Sequence, residues 1–216
     1  MKIIFDFDST LVTVEWLDTL AEYALAHHPQ KQDILSRIQD ITNKGMNGQM
    51  TFDQSLSQRM ALLQADEQCI KRTQQHLLRS ISPSLIENKE KRQQYRDHIY
   101  IVSWWFYDLI LPVVHVLWRH PAHIFANDFI IEKGYVVWID KTKLLSQDKG
   151  KVKAVKGLWL QWWVTVVGDG FTDYEIKKHG YANQFIAYTE NAHRDKVVGV
   201  ADAVVDSFEQ VREFLH

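Results

Sequence analysis

The sequence is poor in the residues that punctuate or staple a chain. A single cysteine, Cys69, rules out an internal disulfide and suits a reducing compartment such as the cytoplasm. Only 4 prolines and 9 glycines are spread over 216 residues, which excludes a collagen-like or Pro/Gly-rich disordered chain. No strong charge bias exists: the formal net charge is −2, so nothing invites wholesale attraction to nucleic acid or to an acidic membrane surface. There is no uninterrupted apolar run of membrane length either. The most apolar stretch, Tyr100 to Trp118, approaches the ~20 residues a spanning helix needs. It carries Ser103, Asp108, Pro112 and His115, and an uncompensated Asp in lipid is costly. A buried strand followed by a core-facing helix is the better reading. The apolar start is broken by Asp6 and Asp8 too early for a secretory signal.

What remains is an ordinary globular composition, 46% hydrophobic and 24% charged, with eight tryptophans as the one excess. Lys2 to Phe7 reads as a buried strand ending in acids. Glu15 to Lys91 is a long polar stretch with helical spacing, as in Trp16, Leu17, Leu20, Tyr23 and Ala24, and later Phe52, Leu56, Arg59, Met60 and Leu63. Further strands are expected at His98–Ser103, His123–Phe125, Val164–Val167, Phe185–Tyr188 and Ala203–Val205. Phe129–Ile139 reads as a hairpin turning at Lys133-Gly134. Helices are expected over 107–118, from Lys149 to Leu158, over Tyr174–His179 and from Ser207 to Leu215, with Ser207 as N-cap. Strands alternating with helices predict an α/β fold with a mainly parallel sheet and a helical insertion after the first strand.

Four sites follow or end a predicted strand, where open parallel sheets collect their ligands. Asp6 and Asp8 lie two residues apart at a strand end and so point the same way. One carboxylate there can attack phosphorus while the other protonates a leaving oxygen and later activates water. Ser103 ends its predicted strand, where a hydroxyl and the following N–H groups can hold a phosphate oxygen. Lys149 opens a helix, where free N–H groups already favour anions. Its neighbours Lys151, Lys153 and Lys156 read as solvated. Gly168-Asp169-Gly170-Phe171-Thr172-Asp173 turns tightly after a strand, with Asp169 suited to a hard cation and Asp173 to a supporting or ligand role.

In this order the pieces resemble the haloacid dehalogenase-like phosphatase superfamily over nearly the whole chain. Asp6, Asp8 and Thr10 form its DxDxT signature, and Ser103, Lys149 and GDGFTD its later motifs. FDFDSTLV followed by Glu15, with FDQSLSQR ending at Arg59, resembles the phosphoserine phosphatase branch. The resemblance implies a Rossmann-like core, residues 1–14 and 92–216, and a helical cap, residues 15–91. It implies Asp6 as nucleophile and Asp8 as acid then base, with Thr10, Ser103 and Lys149 on the phosphate. Magnesium would be held by Asp6, the Asp8 carbonyl and Asp169, with Asp173 beside them. Glu15 would face a substrate amino group and Arg59 would pair with its carboxylate. The implied partner is a small phosphomonoester, L-phosphoserine in serine biosynthesis or another phosphometabolite, acted on by a cytoplasmic monomer or homodimer.

The chain departs from that pattern at its indoles. Trp104 and Trp105 stand where the family has small residues, often glycine, and Trp16 stands beside Glu15. Trp138, Trp159, Trp162 and Trp163 also occupy places usually small. Three readings stand side by side: a pocket remodelled for a flatter, more apolar phosphomonoester, an altered chain with impaired catalysis, or indoles packed into surface loops, which suits 159, 162 and 163.

Overall fold

A computed structural model of the chain describes residues 1–46, 49–63, 65–118, 123–140 and 142–214, the side chains of 43, 45, 46, 52, 53 and 137–139 excepted. The expected helix end at Leu215 and the side chains of Phe52 and Trp138 lie outside what is described.

The first strand, β1 (Lys2–Phe5), is buried on both faces: Ile3 and Phe5 point into one apolar layer and Ile4 into the other. Beside it lie β2 (Ile99–Phe106) and β3 (Ile124–Asn127), and on its other side β6 (Val164–Gly168), β7 (Gln184–Tyr188) and β8 (Ala203–Val205). All pair in parallel, in the order β3-β2-β1-β6-β7-β8. The hairpin β4 (Phe129–Glu132) and β5 (Tyr135–Ile139) stands apart as its own two-stranded sheet, with Gly134 at φ +83 in its turn. With the hairpin set aside, this is the doubly wound order, and its direction reverses between β1 and β6, where such folds bind ligands.

Among the described residues six α-helices lie between β1 and β2: α1 (Trp16–Ala24), α2 (Lys31–Met46), α3 (Phe52–Leu63), α4 (Glu67–Arg79), α5 (Pro83–Glu87) and α6 (Lys89–Gln93). No strand interrupts them among the described residues, apart from the single bridges Val12↔Ile81 and Asp66↔Tyr135. The last two helices side with the sheet. Ser84 on α5 bonds Tyr188 at the end of β7 and Glu190 just beyond it, and Arg92 on α6 donates to the carbonyls of Leu117 and Leu85.

After β2 the chain turns directly into α7 (Tyr107–Trp118), which packs under the sheet through Leu109, Ile110, Val113, Val114 and Leu117. Pro112 inside this helix has no N–H for the Asp108 carbonyl, and the Gln74 amide fills that place at 2.8 Å. The opposite face of the sheet is covered by α8 (Gly150–Gly157), α9 (Phe171–Lys178) and α10 (Asp195–Val198) through Ala154, Val155, Ile176 and Val197. Finally, α11 (Phe208–Val211) closes the chain on α7's side.

Two local expectations change. The strand expected to stop at Ser103 runs on through Trp104, Trp105 and Phe106, because aromatic residues favour the pleated, buried surface. Ser207 sits at the N-cap position of α11 but makes no capping bond; the Phe208 N–H goes instead to Ser84 Oγ at 2.9 Å. No helix among the described residues is long and apolar enough to cross a membrane.

Candidate active site

Beyond the end of β1 the backbone continues in register for one more residue, the Asp6 N–H reaching the Val167 carbonyl at 3.0 Å. Asp6 is thereby fixed beside the end of β6. Its Oδ1 accepts from the Phe7 N–H and from Lys151 Nζ, each at 2.7 Å, while the Phe7 ring is buried in the core. A left-handed turn at Ser9, φ +48, then folds the chain so that the Phe7 carbonyl accepts from Leu11 at 2.9 Å. The Asn191 amide donates to the Ser9 carbonyl at 3.2 Å and to Ser82 Oγ at 2.6 Å, pinning this loop from the segment after β7.

Asp8 lies on the same side as Asp6. Its carboxylate accepts from the Trp16 N–H at 3.4 Å and from the buried indole N–H of Trp105. Burial and the neighbouring Glu15 charge push its pKa well above the ordinary carboxylate value, against the pull of the indole bond.

The end of β6 supplies the other acids. Gly168 is required there: a Cβ at that position would meet Asp173 Oδ2 at 2.5 Å. Asp173, in the first turn of α9, accepts from the Gly170 N–H at 3.1 Å and from Lys151 Nζ at 2.7 Å. Asp169 is buried and accepts from Arg194 Nε at 2.9 Å. Burial and the Asp6 charge raise the Asp169 pKa to about 6, although Arg194 works the other way. Burial and Asp6 likewise raise Asp173.

The lysine of this site is Lys151, which corrects the assignment to Lys149. Lys149 sits left-handed, φ +53, just before α8, exposed, with its Nζ 3.5 Å from His179 Nε2. Gly150 explains the exchange. A Cβ there would lie 2.6 Å from the Leu144 carbonyl, so the helix entry is pressed against that backbone. The first turn then directs Lys151 inward, where it is 4% exposed rather than solvated. Burial opposes its charge, but Asp173 and Asp6 outweigh that and raise its pKa.

Other expected residues are only partly brought together. Ser103 is buried in mid-strand, and its Oγ accepts from the Trp105 N–H at 3.2 Å. Thr10 Oγ1 is buried with no hydrogen-bond partner, a polar atom suited to a ligand oxygen. Glu15, at the start of α1, accepts from Ser9 Oγ at 3.0 Å and faces Arg194 Nη2 at 3.4 Å. Arg59 on α3 donates to the Ser55 carbonyl and to Thr42 Oγ1. It shares the field of Asp18, Glu15 and Asp8, and burial lowers its pKa. Trp105 is buried against Phe7 and Trp16, with ring centroids 4.8 and 5.7 Å apart, and Trp16 in turn packs on Phe106. By contrast Trp159, Trp162 and Trp163 are 84%, 80% and 54% exposed, so these loop indoles cover little.

Sequence reasoning missed Lys151, Asn191 and Arg194. The last two lie just beyond the carboxyl end of β7, a place where an exposed-looking polar run deserves weight in any parallel sheet.

Carboxylate oxygens of Asp6, Asp169 and Asp173 lie within 4.8 Å of one another. An all-oxygen donor set of this kind fits a hard divalent cation. The Asp8 side chain is outside this set.

Comparison with known proteins agrees with this geometry. No family model matches the chain. It is 28% identical over 213 residues to the chloroplastic phosphoserine phosphatase of Arabidopsis thaliana, covering 97% of this chain and 70% of that protein. It is 29% identical to the phosphoserine phosphatase of Methanocaldococcus jannaschii, with 86% and 85% covered. A crystal structure of a phosphoserine phosphohydrolase-like protein from Francisella tularensis superposes with a TM-score of 0.84 at 31% identity, covering 100% of both chains. A parallel sheet with a buried acid cluster at its switch point, matched along its whole length, leaves one assignment: the chain belongs to the haloacid dehalogenase-like phosphatases, in their phosphoserine phosphatase-like branch.

Proposed function

We propose that this phosphatase is a magnesium-dependent hydrolase that forms an aspartyl phosphate on Asp6, and that L-phosphoserine is its substrate. The observation that carries the reading is the pairing of Asp6 with Lys151. Both bonds to the Asp6 carboxylate fall on Oδ1, which orients Oδ2 as the attacking oxygen. Attack in line on phosphorus breaks the phosphorus–ester oxygen bond while Asp8, whose raised pKa favours the protonated form, gives its proton to the departing oxygen. Asp8 then takes a proton from the water that attacks the aspartyl phosphate, which returns Asp6 and releases phosphate. Thr10 and Ser103 offer hydroxyls to the phosphoryl oxygens, and Lys151 offsets their charge. Asp6, Asp169 and the Asp8 carbonyl would hold magnesium with Asp173 behind them, and the ion when bound supplies positive charge to the phosphate oxygens.

The substrate assignment rests on Glu15 for an ammonium group and Arg59 for a carboxylate, both at the rim of the site. In this reading α1 to α4 form the cap, and α5 and α6, expected within or at the end of a cap of residues 15–91, go instead with the core of residues 1–14 and 92–216. A cytoplasmic setting goes with the single cysteine.

A second reading has one observation in its favour. The Trp105 indole engages the Asp8 carboxylate and fills space against Phe7 and Trp16. In that reading the pocket is blocked, or shaped for a flatter phosphomonoester.

Phosphate release from L-phosphoserine and a panel of small phosphomonoesters, with magnesium, separates these. Release by the parent chain that Asp6→Asn abolishes is the expected result. Silence from the parent with release by Trp105→Gly would move the assignment to the blocked pocket.

A further inference from the structure

Two cationic side chains partly balance the charge of the acid cluster. Lys151 serves Asp6 and Asp173, and Arg194 serves Asp169. The two cations differ in kind. The Lys151 side chain is 5% exposed and sits between its two acids, so it has nowhere else to go. The Arg194 side chain is 38% exposed, at the rim, and already reaches a second carboxylate, Glu15, at 3.4 Å. Arg194 is held on the short segment between β7 and α10, anchored three residues earlier by Asn191 on the Ser9 carbonyl.

From this we infer that Arg194 competes with a divalent cation for the Asp169 carboxylate, and that a bound cation shifts its bonding toward Glu15. The inference rests on the reading of Asp6 and Asp169 as metal ligands. A guanidinium 2.9 Å from Asp169 Oδ2 and a divalent cation on the same carboxylate repel each other, and they compete for its lone pairs. Because Asp169 is 4% exposed, losing both partners would leave a buried, uncompensated charge. Arg194 therefore compensates the buried Asp169 charge and by linkage weakens cation binding. The Arg194–Glu15 contact makes the exchange local: the guanidinium pivots about one carboxylate at the rim without returning to bulk water. It also joins the metal site to the residue assigned to the substrate ammonium. A cation at Asp169 sends positive charge to Glu15, where a substrate ammonium would compete with it.

The test is magnesium binding measured by calorimetry, with melting temperature in EDTA and in excess magnesium, for the parent, Arg194→Gln and Asp169→Asn. Arg194→Gln is expected to bind magnesium at least about fivefold more tightly, the lower end of typical coupling between sites. It should also melt below the parent in EDTA and close that gap in magnesium. Unchanged or weaker magnesium binding by folded Arg194→Gln overturns the inference. Should that variant not fold, Arg194→Met carries the test, since it keeps the apolar stem and removes the charge that pairs with Asp169. It should bind magnesium more tightly than the parent, and equal or weaker binding again overturns the inference. Magnesium bound equally by parent and Asp169→Asn, or by neither, would instead overturn the metal ligands themselves and the inference with them.

Discussion

Lys149 and Lys151 stand two residues apart and have opposite fates. One is a solvated residue in a left-handed turn, and the other is a buried cation joining the first acid motif to the last. Replacing Lys151 by Met leaves Asp6 and Asp173 buried without their partner, and breaking a buried pair costs about 3–5 kcal/mol. It also removes charge stabilisation of the kind worth about 100-fold or more in turnover. Lys151→Met should therefore fall in both kcat and melting temperature, while Lys149→Met stays close to the parent in both. Parallel kinetics and thermal melts decide, and a large loss at Lys149 alone would reverse the assignment. The acids were legible in the sequence because each follows a strand and because Asp-x-Asp fixes two side chains on one side. The lysine was not, because Lys-Gly-Lys offers two equivalent candidates. What separates them is the press of Gly150 against the Leu144 carbonyl, a contact between segments that spacing does not reveal.

Among the elements, apolar patterning located the core strands and the hairpin, since a parallel strand buried on both faces reads as a plain apolar run. It was less informative where aromatic residues replace turn residues. Trp104 and Trp105 lengthen β2 past the point where a turn was expected, and this draws the Trp105 indole onto Asp8. The loop before β6 shows the other outcome. There Trp162 holds φ +101 and Trp159 φ +48 with their rings mostly in solvent, so little packing offsets the backbone strain. Left-handed backbone costs an L-residue about 1–2 kcal/mol, and glycine escapes that cost. Trp162→Gly should accordingly stabilise the protein by about 1 kcal/mol, with no loss of turnover because the loop lies at the opposite end of the sheet from Asp6. Denaturant unfolding reads the sign directly; a destabilised Trp162→Gly would mean that the exposed ring makes contacts that outweigh the strain. Ser207 shows a further limit of local reading, since its capping task is taken by Ser84, far away in sequence.

For the whole molecule, a net charge of −2 conceals a sharp local imbalance. The doubly wound order brings the ends of β1 and β6 together, and with them Asp6, Asp8, Asp169 and Asp173, while Glu15 joins from the helical insertion. Four of these five carboxylates pair directly with Lys151 or Arg194, while Asp8 pairs with neither and Arg59 contributes through its field. This surplus of negative charge works against the folded state, and a bound divalent cation relieves it in that state only. A ligand that binds the native form alone stabilises by about 2.7 kcal/mol at one hundred times its dissociation constant. For a chain of this size that corresponds to about 5–10 °C in melting temperature. Magnesium should therefore raise the melting temperature by roughly that amount, and EDTA should return it. Sodium at equal ionic strength should not reproduce the effect, because screening acts weakly on buried charge. Asp169→Asn should melt higher than the parent in EDTA, having lost one charge of the surplus, and gain little from magnesium. If the parent gains nothing from magnesium while Asp169→Asn still melts higher in EDTA, the surplus is real but the two resident cations already satisfy the site. The lack of both effects would remove the charge imbalance as a feature of this fold.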